Sequence, residues 1–502
     1  MSISSLVIQK CGVIIPIRIW VALLIFLGAF ISYILRVNIS VAAIKLTPGE
    51  NFSITLDKHC VETLKVLSES PIYFPSTKHK PLQPVMVAFL FSIYNAGYLF
   101  SILISQLFAD KWGATRVIGY STLLASILTL ITPLAYYLGV FVLFSVRFLI
   151  GFLSGFVFPL LHILILQWSP VTEKNFFVLT LYGASIGMIL TYPMSAYILR
   201  KMSWNWIMYI SGMLAIGWSV IWLLFVTDAV ENHPCITDAE IAKIQYRRDL
   251  NQIPLRARRK IPWKDIARSS PVQALFVLLW GNTWNLCFYM DYMPMLLYYV
   301  LDYDLVMASM LTGVPILGRT LFSWVCAPFA RYLFVKYRMY TGRIRKFFTI
   351  FSHIIPGIIQ LAMINQICKK ELITVNIILF LGFNGAIVSG GLANILDLTP
   401  HFAGSVYTIM QGLLCIAGIV MPFAVALTLW DHHRAKGWEI VLTINAIMYL
   451  FGGIIFLIFG SGSVQPFDGT AERLTYLNNM SLENVTDNMR SDPLLRGASE
   501  EM

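Results

Sequence analysis

Twelve stretches of this 502-residue chain stay apolar for about twenty residues or more, the length a helix needs to cross a bilayer. They fall near 19–44, 84–109, 117–138, 139–168, 175–199, 203–227, 270–300, 305–330, 347–366, 373–396, 402–430 and 438–460. The third and fourth are nearly continuous and divide at Tyr136-Tyr137-Leu138-Gly139, because a single run of that length is far too long for one crossing. Apolar residues make up 57% of the chain and charged residues only 13%, whereas soluble domains hold about half and about a quarter. Lipid has to cover the excess, so the fold class is an all-α membrane protein with twelve transmembrane helices.

Loop charge sets the expected topology. The net charge is +11, and its basic residues sit in short loops beside the apolar runs, which points to membrane orientation rather than to nucleic acid. The connection between runs six and seven carries Lys243, Arg247, Arg248, Arg256, Arg258, Arg259, Lys260, Lys264 and Arg268, and that between eight and nine carries Arg331, Lys336, Arg338, Arg343, Arg345 and Lys346. Between seven and eight there are only Asp302 and Asp304. The positive-inside rule places the first two connections and both termini in the cytosol. The expected organisation is therefore a cytosolic N-terminus (1–18), a six-helix half (19–227) with an outside loop (45–83), a central cytosolic loop (228–269), a second six-helix half (270–460) and a polar tail (461–502). Two halves joined by a cytosolic loop are the layout of a transporter built from parallel repeats. Asn51 opens an Asn-Phe-Ser glycosylation sequon on the outside loop. The tail carries Asp492-Pro-Leu-Leu495, similar to an acidic dileucine sorting signal.

Ionisable residues inside apolar runs cost about 2.5–3.5 kcal/mol each near the bilayer centre and tend to face a cavity or a partner. This chain has Arg36, Arg147, Asp291 and Arg319, joined by His162 and His353. Three guanidinium groups that cannot shed their protons face one carboxylate. An anionic ligand would supply the missing charge, since arginine binds carboxylate and phosphate in bidentate fashion. Arg147, Gly151, Ser154, Phe158 and His162 share one helical face, as do Tyr33, Arg36 and Ser40. Arg36, Arg147 and Tyr33 are thus candidate substrate residues, and Asp291 and Arg319 a candidate intramembrane pair. After the second run, Asp110-Lys111 followed by Gly113 and Arg116 forms a charged turn able to clamp one half against the other. The seven cysteines form no CxxC and no Cys/His cluster, so no metal site is expected.

That turn resembles the loop signature of the major facilitator superfamily, G-x-x-x-D-R/K-x-G-x-R/K, with Gln106 in place of the first glycine. Tyr33-Ile-Leu-Arg36-Val-Asn38-Ile-Ser40 and Arg147-Phe-Leu-Ile-Gly151-Phe-Leu-Ser154-Gly155-Phe-Val-Phe-Pro159-Leu-Leu-His162 resemble the first and fourth spans of its anion/cation symporters, solute carrier family 17. Trp168-Ser-Pro170-Val-Thr-Glu173-Lys174, His233-Pro234-Cys-Ile236-Thr237-Asp-Ala-Glu240, Asn394-Ile-Leu-Asp397-Leu-Thr-Pro400 and Gly460-Ser-Gly462-Ser-Val-Gln465-Pro466 follow in order. The resemblance runs from about 18 to 467. It implies the twelve-helix facilitator fold, alternating access, transport of phosphate or small organic anions with Arg36 and Arg147 on the substrate, and sodium or a proton as the coupling ion. It implies no further cofactor and no enzymatic activity.

The departures matter. Ser154 stands where the family carries a glutamate tied to proton coupling, which leaves His162 and Asp291 as coupling candidates. Asn282-Thr-Trp284 fills the stretch where glutamate carriers have an arginine, and Asn282 and Trp284 join the candidate substrate residues. Expected partners are a small anion and membrane lipid, with no nucleic acid, for a monomer in the plasma or endolysosomal membrane. The alternative is a membrane receptor or adaptor that keeps the fold without transporting.

Overall fold

A computed structural model describes residues 16–47, 82–170, 173–245, 261–366, 369–400, 402–431 and 434–468. Asn51 and the dileucine stretch lie outside the described residues. Twelve long helices account for nearly all of what is described, with no strand among the described residues. In chain order they are α1 (Ile17–Leu46), α2 (Pro84–Trp112), α3 (Ala114–Leu138), α4 (Val140–Trp168), α5 (Phe176–Lys201) and α6 (Asn205–Phe225), then α7 (Ser270–Met295), α8 (Leu305–Lys336), α9 (Thr341–Ile364), α10 (Lys370–Leu398), α11 (Ala403–Asp431) and α12 (Arg434–Phe459). Eleven are apolar enough to span by composition alone; α7 is diluted by Gln273, Asn282, Asn285 and Asp291. Exposed Phe141, Leu224, Leu427 and Leu107 cover the outer surface, which only lipid tolerates on that scale. Helices α8 and α9 start or end several residues beyond the apolar runs because their cationic ends, Lys336 and Arg343, extend past the hydrocarbon.

The two halves repeat one packing scheme. In the first, α1 lies on α5, α2 on α4 and α3 on α6; in the second, α7 lies on α11, α8 on α10 and α9 on α12. The halves meet through α2 against α11, α5 against α8 and α1 against α7. One apolar core, including Val41, Phe91, Tyr192, Phe288, Leu297 and Met421, draws on both halves at the end where α1 finishes and α2 begins. At the opposite end each half keeps a core of its own. The molecule is therefore joined at one end and divided at the other.

Backbone contacts set helix spacing where side chains are absent. A Cβ on Gly151 of α4 would sit 2.1 Å from the Tyr94 carbonyl oxygen of α2, so only glycine lets these backbones touch. Between α2 and α3, Gly113 takes φ 87°, a left-handed value that side chains resist. Asp228, beyond α6, then accepts from the Thr115 amide at 2.6 Å and satisfies the start of α3.

The divided end of the first half is held by charge. Glu240 accepts from the Ile17 and Arg18 amides (3.2 and 3.0 Å), and so caps α1 from a short helix far along the chain. Arg18 also pairs with Glu173 (2.9 Å) and Glu240 (3.2 Å), and Lys243 reaches Glu173 at 2.6 Å. Trp168 donates to the Thr227 carbonyl and packs edge-on against His233. The motifs that resemble the family therefore build a structural lock. In the second half, Arg345 holds Asp397 (2.6 Å), and Gln465 donates to the Leu398 carbonyl.

Hydrogen bonds from Arg18 and Lys243 hold the Glu173 carboxyl below its ordinary value of 4.5. A lowered carboxyl stabilises the fold above that ordinary value and loses the contribution as pH falls through the folded value. Glu173→Gln is expected to lower the melting temperature by a few degrees at neutral pH, and the gap to the parent to close in acid. A gap that stays constant from neutral pH to about pH 3 would show that the charge of Glu173 carries none of the lock.

Candidate functional site

Arg36 lies two thirds of the way along α1 and is partly exposed toward the space between the halves. Its Nη2 donates to Asn95 Oδ1 (3.2 Å) and lies 3.8 Å from Cys287 Sγ. Asn95 is fixed, because its amide donates to the carbonyls of Phe91 (3.2 Å) and of Gly418 in the other half (3.1 Å), leaving only its oxygen for Arg36. Tyr33, Tyr94 and Tyr98 place their rings 5.6–5.9 Å from the guanidinium carbon, a distance at which the ring faces attract a cation.

Arg147 approaches the same tyrosine: its guanidinium carbon is 5.5 Å from the Tyr94 ring. The contact follows from the Gly151 approach, which brings α4 against α2 at that level. Arg147 is 1% exposed, and its Nε and Nη1 are buried without a hydrogen-bond partner among the described residues. A buried cation with open donors is costly unless something else satisfies it. Ser154, one turn beyond Gly151, stands beside the Tyr94 phenol.

Asp291 of α7 faces this cluster from the second half. It is partly exposed, and its charge is within electrostatic reach of both Arg36 and Arg147. The Asp291–Arg319 pair expected from the sequence is not formed. Arg319 donates from Nε to Asn384 Oδ1 (3.0 Å), and Asn384 donates in turn to Asn282 Oδ1 (2.9 Å) and the Ser352 carbonyl (3.1 Å). The two ionisable groups lie on different helices at different depths, so opposite sign did not bring them together. Trp284 also differs from expectation: its indole donates to Asn445 Oδ1 (2.9 Å) inside the second half, where it is 5% exposed. It braces α7 against α12 and is absent from the Arg36 cluster.

The face expected to run from Arg147 to His162 is split, because α4 breaks its regular winding at Gly155-Phe156. Past the break Phe158 packs edge-on against Tyr33 (5.6 Å), and His162 turns to the divided end, 6.2 Å from the Tyr407 ring. His162 Nδ1 donates to the Phe158 carbonyl (2.7 Å), leaving Nε2 free to accept a proton. His353 is a packing histidine: fully buried, with both ring nitrogens engaged by Ser352 and the Leu278 carbonyl. Asp110, Lys111 and Arg116 are exposed, and none forms an ion pair with another helix among the described residues; Asp110 accepts only from Gln106 (2.8 Å) and Lys111 lies over Trp112. The charged turn is disengaged in this conformation.

Tyr94, Asn95, Tyr98 and Cys287 were not singled out from sequence. The three on α2 were detectable, since Tyr94 and Tyr98 are one turn apart with Asn95 beside them in an otherwise apolar run.

Comparison with known proteins agrees with this architecture. The Major Facilitator Superfamily model matches residues 25–422. A Drosophila ananassae protein described as a "putative inorganic phosphate cotransporter" is 28% identical, over 89% of this chain and 94% of its own. Human sialin is 27% identical over 88% of this chain and 89% of its own. Among solved structures, a D-xylose-proton symporter superposes with a TM-score of 0.64 at 11% identity, covering 88% of this chain and 98% of its own.

Proposed function

This chain belongs to the Major Facilitator Superfamily, and from that membership we propose that it carries phosphate or a small organic anion across a membrane by alternating access. It is a transporter and not an enzyme. The observation that carries the choice of an anion is the Arg36–Arg147 cluster, in which two guanidinium groups share the Tyr94 ring and Arg147 leaves buried donors unsatisfied. An oxyanion seated there would accept those hydrogen bonds and neutralise the charge. The Drosophila ananassae relative, described as a phosphate cotransporter, supports the same class of cargo.

The shared core at one end and separate cores at the other describe a carrier closed on one side of the membrane. The divided end bears Arg18, Lys243, Arg338, Arg343 and Lys346, so the positive-inside rule turns it to the cytosol, with both termini. Reversing the state must part contacts at the joined end, among them Tyr299 hydroxyl to the Ile44 carbonyl (2.6 Å), Ser92 hydroxyl to the Ile419 carbonyl (2.7 Å) and Tyr192 hydroxyl to the Met290 carbonyl (3.0 Å). The disengaged Asp110, Lys111 and Arg116 turn would then meet the other half and hold the cytosolic side shut.

Ser154 cannot carry a proton as the glutamate of the family pattern does. Asp291 is the acid available beside the arginines. Protonating it or pairing it with sodium would change the field that the anion meets, which is how the coupling ion acts in this reading. His162, at the open end, is the second candidate. Uptake of radiolabelled phosphate, urate, sialate and glutamate into proteoliposomes, with sodium and pH gradients imposed separately, tests both cargo and coupling. No flux of any of these anions under either gradient would refute the reading.

A further inference from the structure

Arg319 is the third intramembrane arginine, and the site described above does not use it. Its Nε is tied to Asn384, whose orientation is itself fixed because both its amide donations go to Asn282 and Ser352. Asn282 and Asn384 thus act as positioning residues. They leave the two terminal nitrogens of Arg319 with no hydrogen-bond partner among the described residues, on a side chain partly exposed between the halves. Tyr33, which also borders Arg36, and Tyr182 of the first half are within its electrostatic reach. Tyr449 is there too, and its hydroxyl is fully buried and unpaired. A fork of donors and an orphaned hydroxyl thus lie within electrostatic reach of each other.

Depth separates this fork from the first cluster. Arg36 is ten residues from Leu46 at the joined end of α1, and Arg319 fourteen from Leu305 at the same end of α8. At the rise of an α-helix the difference is roughly 6 Å along the membrane normal. Three arginines against one carboxylate also leave two positive charges in the middle of the spans.

The geometry points to a second oxyanion subsite at Arg319, so that the preferred cargo is an organic dianion whose two acidic groups bridge Arg36 in the first half and Arg319 in the second. This rests on the anion reading above and sharpens it. A bridging cargo bonds to both halves at once, which favours closing them around it.

The test uses the purified full-length protein and measures apparent affinity from ligand-induced thermal stabilisation. The probes are adipate, its one-headed counterpart caproate, and inorganic phosphate. Adipate is expected to bind about ten-fold or more tighter than caproate, the scale of one added charge-assisted contact. Arg319→Gln should bring that ratio close to one. Arg319→Lys, which keeps the charge but loses the fork, should give an intermediate ratio and stands in should the glutamine variant not fold. An unchanged ratio in either folded variant overturns the second subsite, as does a parent protein that binds adipate and caproate equally. If none of the three anions binds the parent, or if Arg36→Ala leaves all binding intact, the underlying anion reading fails instead.

Discussion

Arg36→Ala is expected to abolish anion uptake while the protein still folds and reaches its membrane. The side chain is partly exposed, and among the described residues its hydrogen bonds go only to Asn95 and the weak acceptor Cys287. Asn95 keeps its bonds to Phe91 and Gly418 without it, so the packing of α2 against α11 should survive. What disappears is the cation around which Tyr33, Tyr94 and Tyr98 are arranged. A bidentate arginine–oxyanion contact comprises two charge-assisted bonds of about 1.5–3 kcal/mol each. Uptake should therefore fall by a factor on the order of 100 or more. Arg36→Lys should recover part of it, because a point charge without a fork keeps attraction but not geometry. Uptake and surface biotinylation in the same cells decide the matter. Parent-like uptake by the alanine variant would sink the assignment of this arginine to the cargo.

Arg147→Met carries a two-sided expectation: transport is lost and the empty protein becomes more stable. Arg147 is a buried cation with two open nitrogens, compensated among the described residues by the Tyr94 ring and the more distant Asp291. Such a charge opposes folding, and replacing buried charge with apolar side chains of similar volume stabilises proteins by about 1–4 kcal/mol. The methionine keeps most of the apolar stem of the arginine. A melting temperature several degrees above the parent, together with uptake at background, would show that stability has been spent on binding. A variant that melts lower would mean Arg147 is satisfied within the fold, and the cargo would then have to be held elsewhere.

Much of this protein could be read before any coordinates. The number of crossings, their places in the chain and the surplus of intramembrane arginine follow from runs of apolar residues and the cost of charge in lipid, and these are properties of each segment by itself. The motifs around Glu173, Glu240, Asp397 and Gln465 were legible as a family resemblance, although their work was not. They turned out to be caps and ion pairs under the bundle.

Which polar groups meet was decided only by the tertiary structure. Asp291 was expected on Arg319 and instead faces Arg36 and Arg147; Arg319 is held by Asn384, and Trp284 is turned to Asn445. Glu240 caps a helix that begins 223 residues earlier. Helical periodicity gives the direction of a side chain relative to its own axis, but not the rotation or depth at which that helix docks. Those are set by packing between helices, such as the Gly151 approach to Tyr94, where the absence of one methyl group on α4 decides which ring two arginines share.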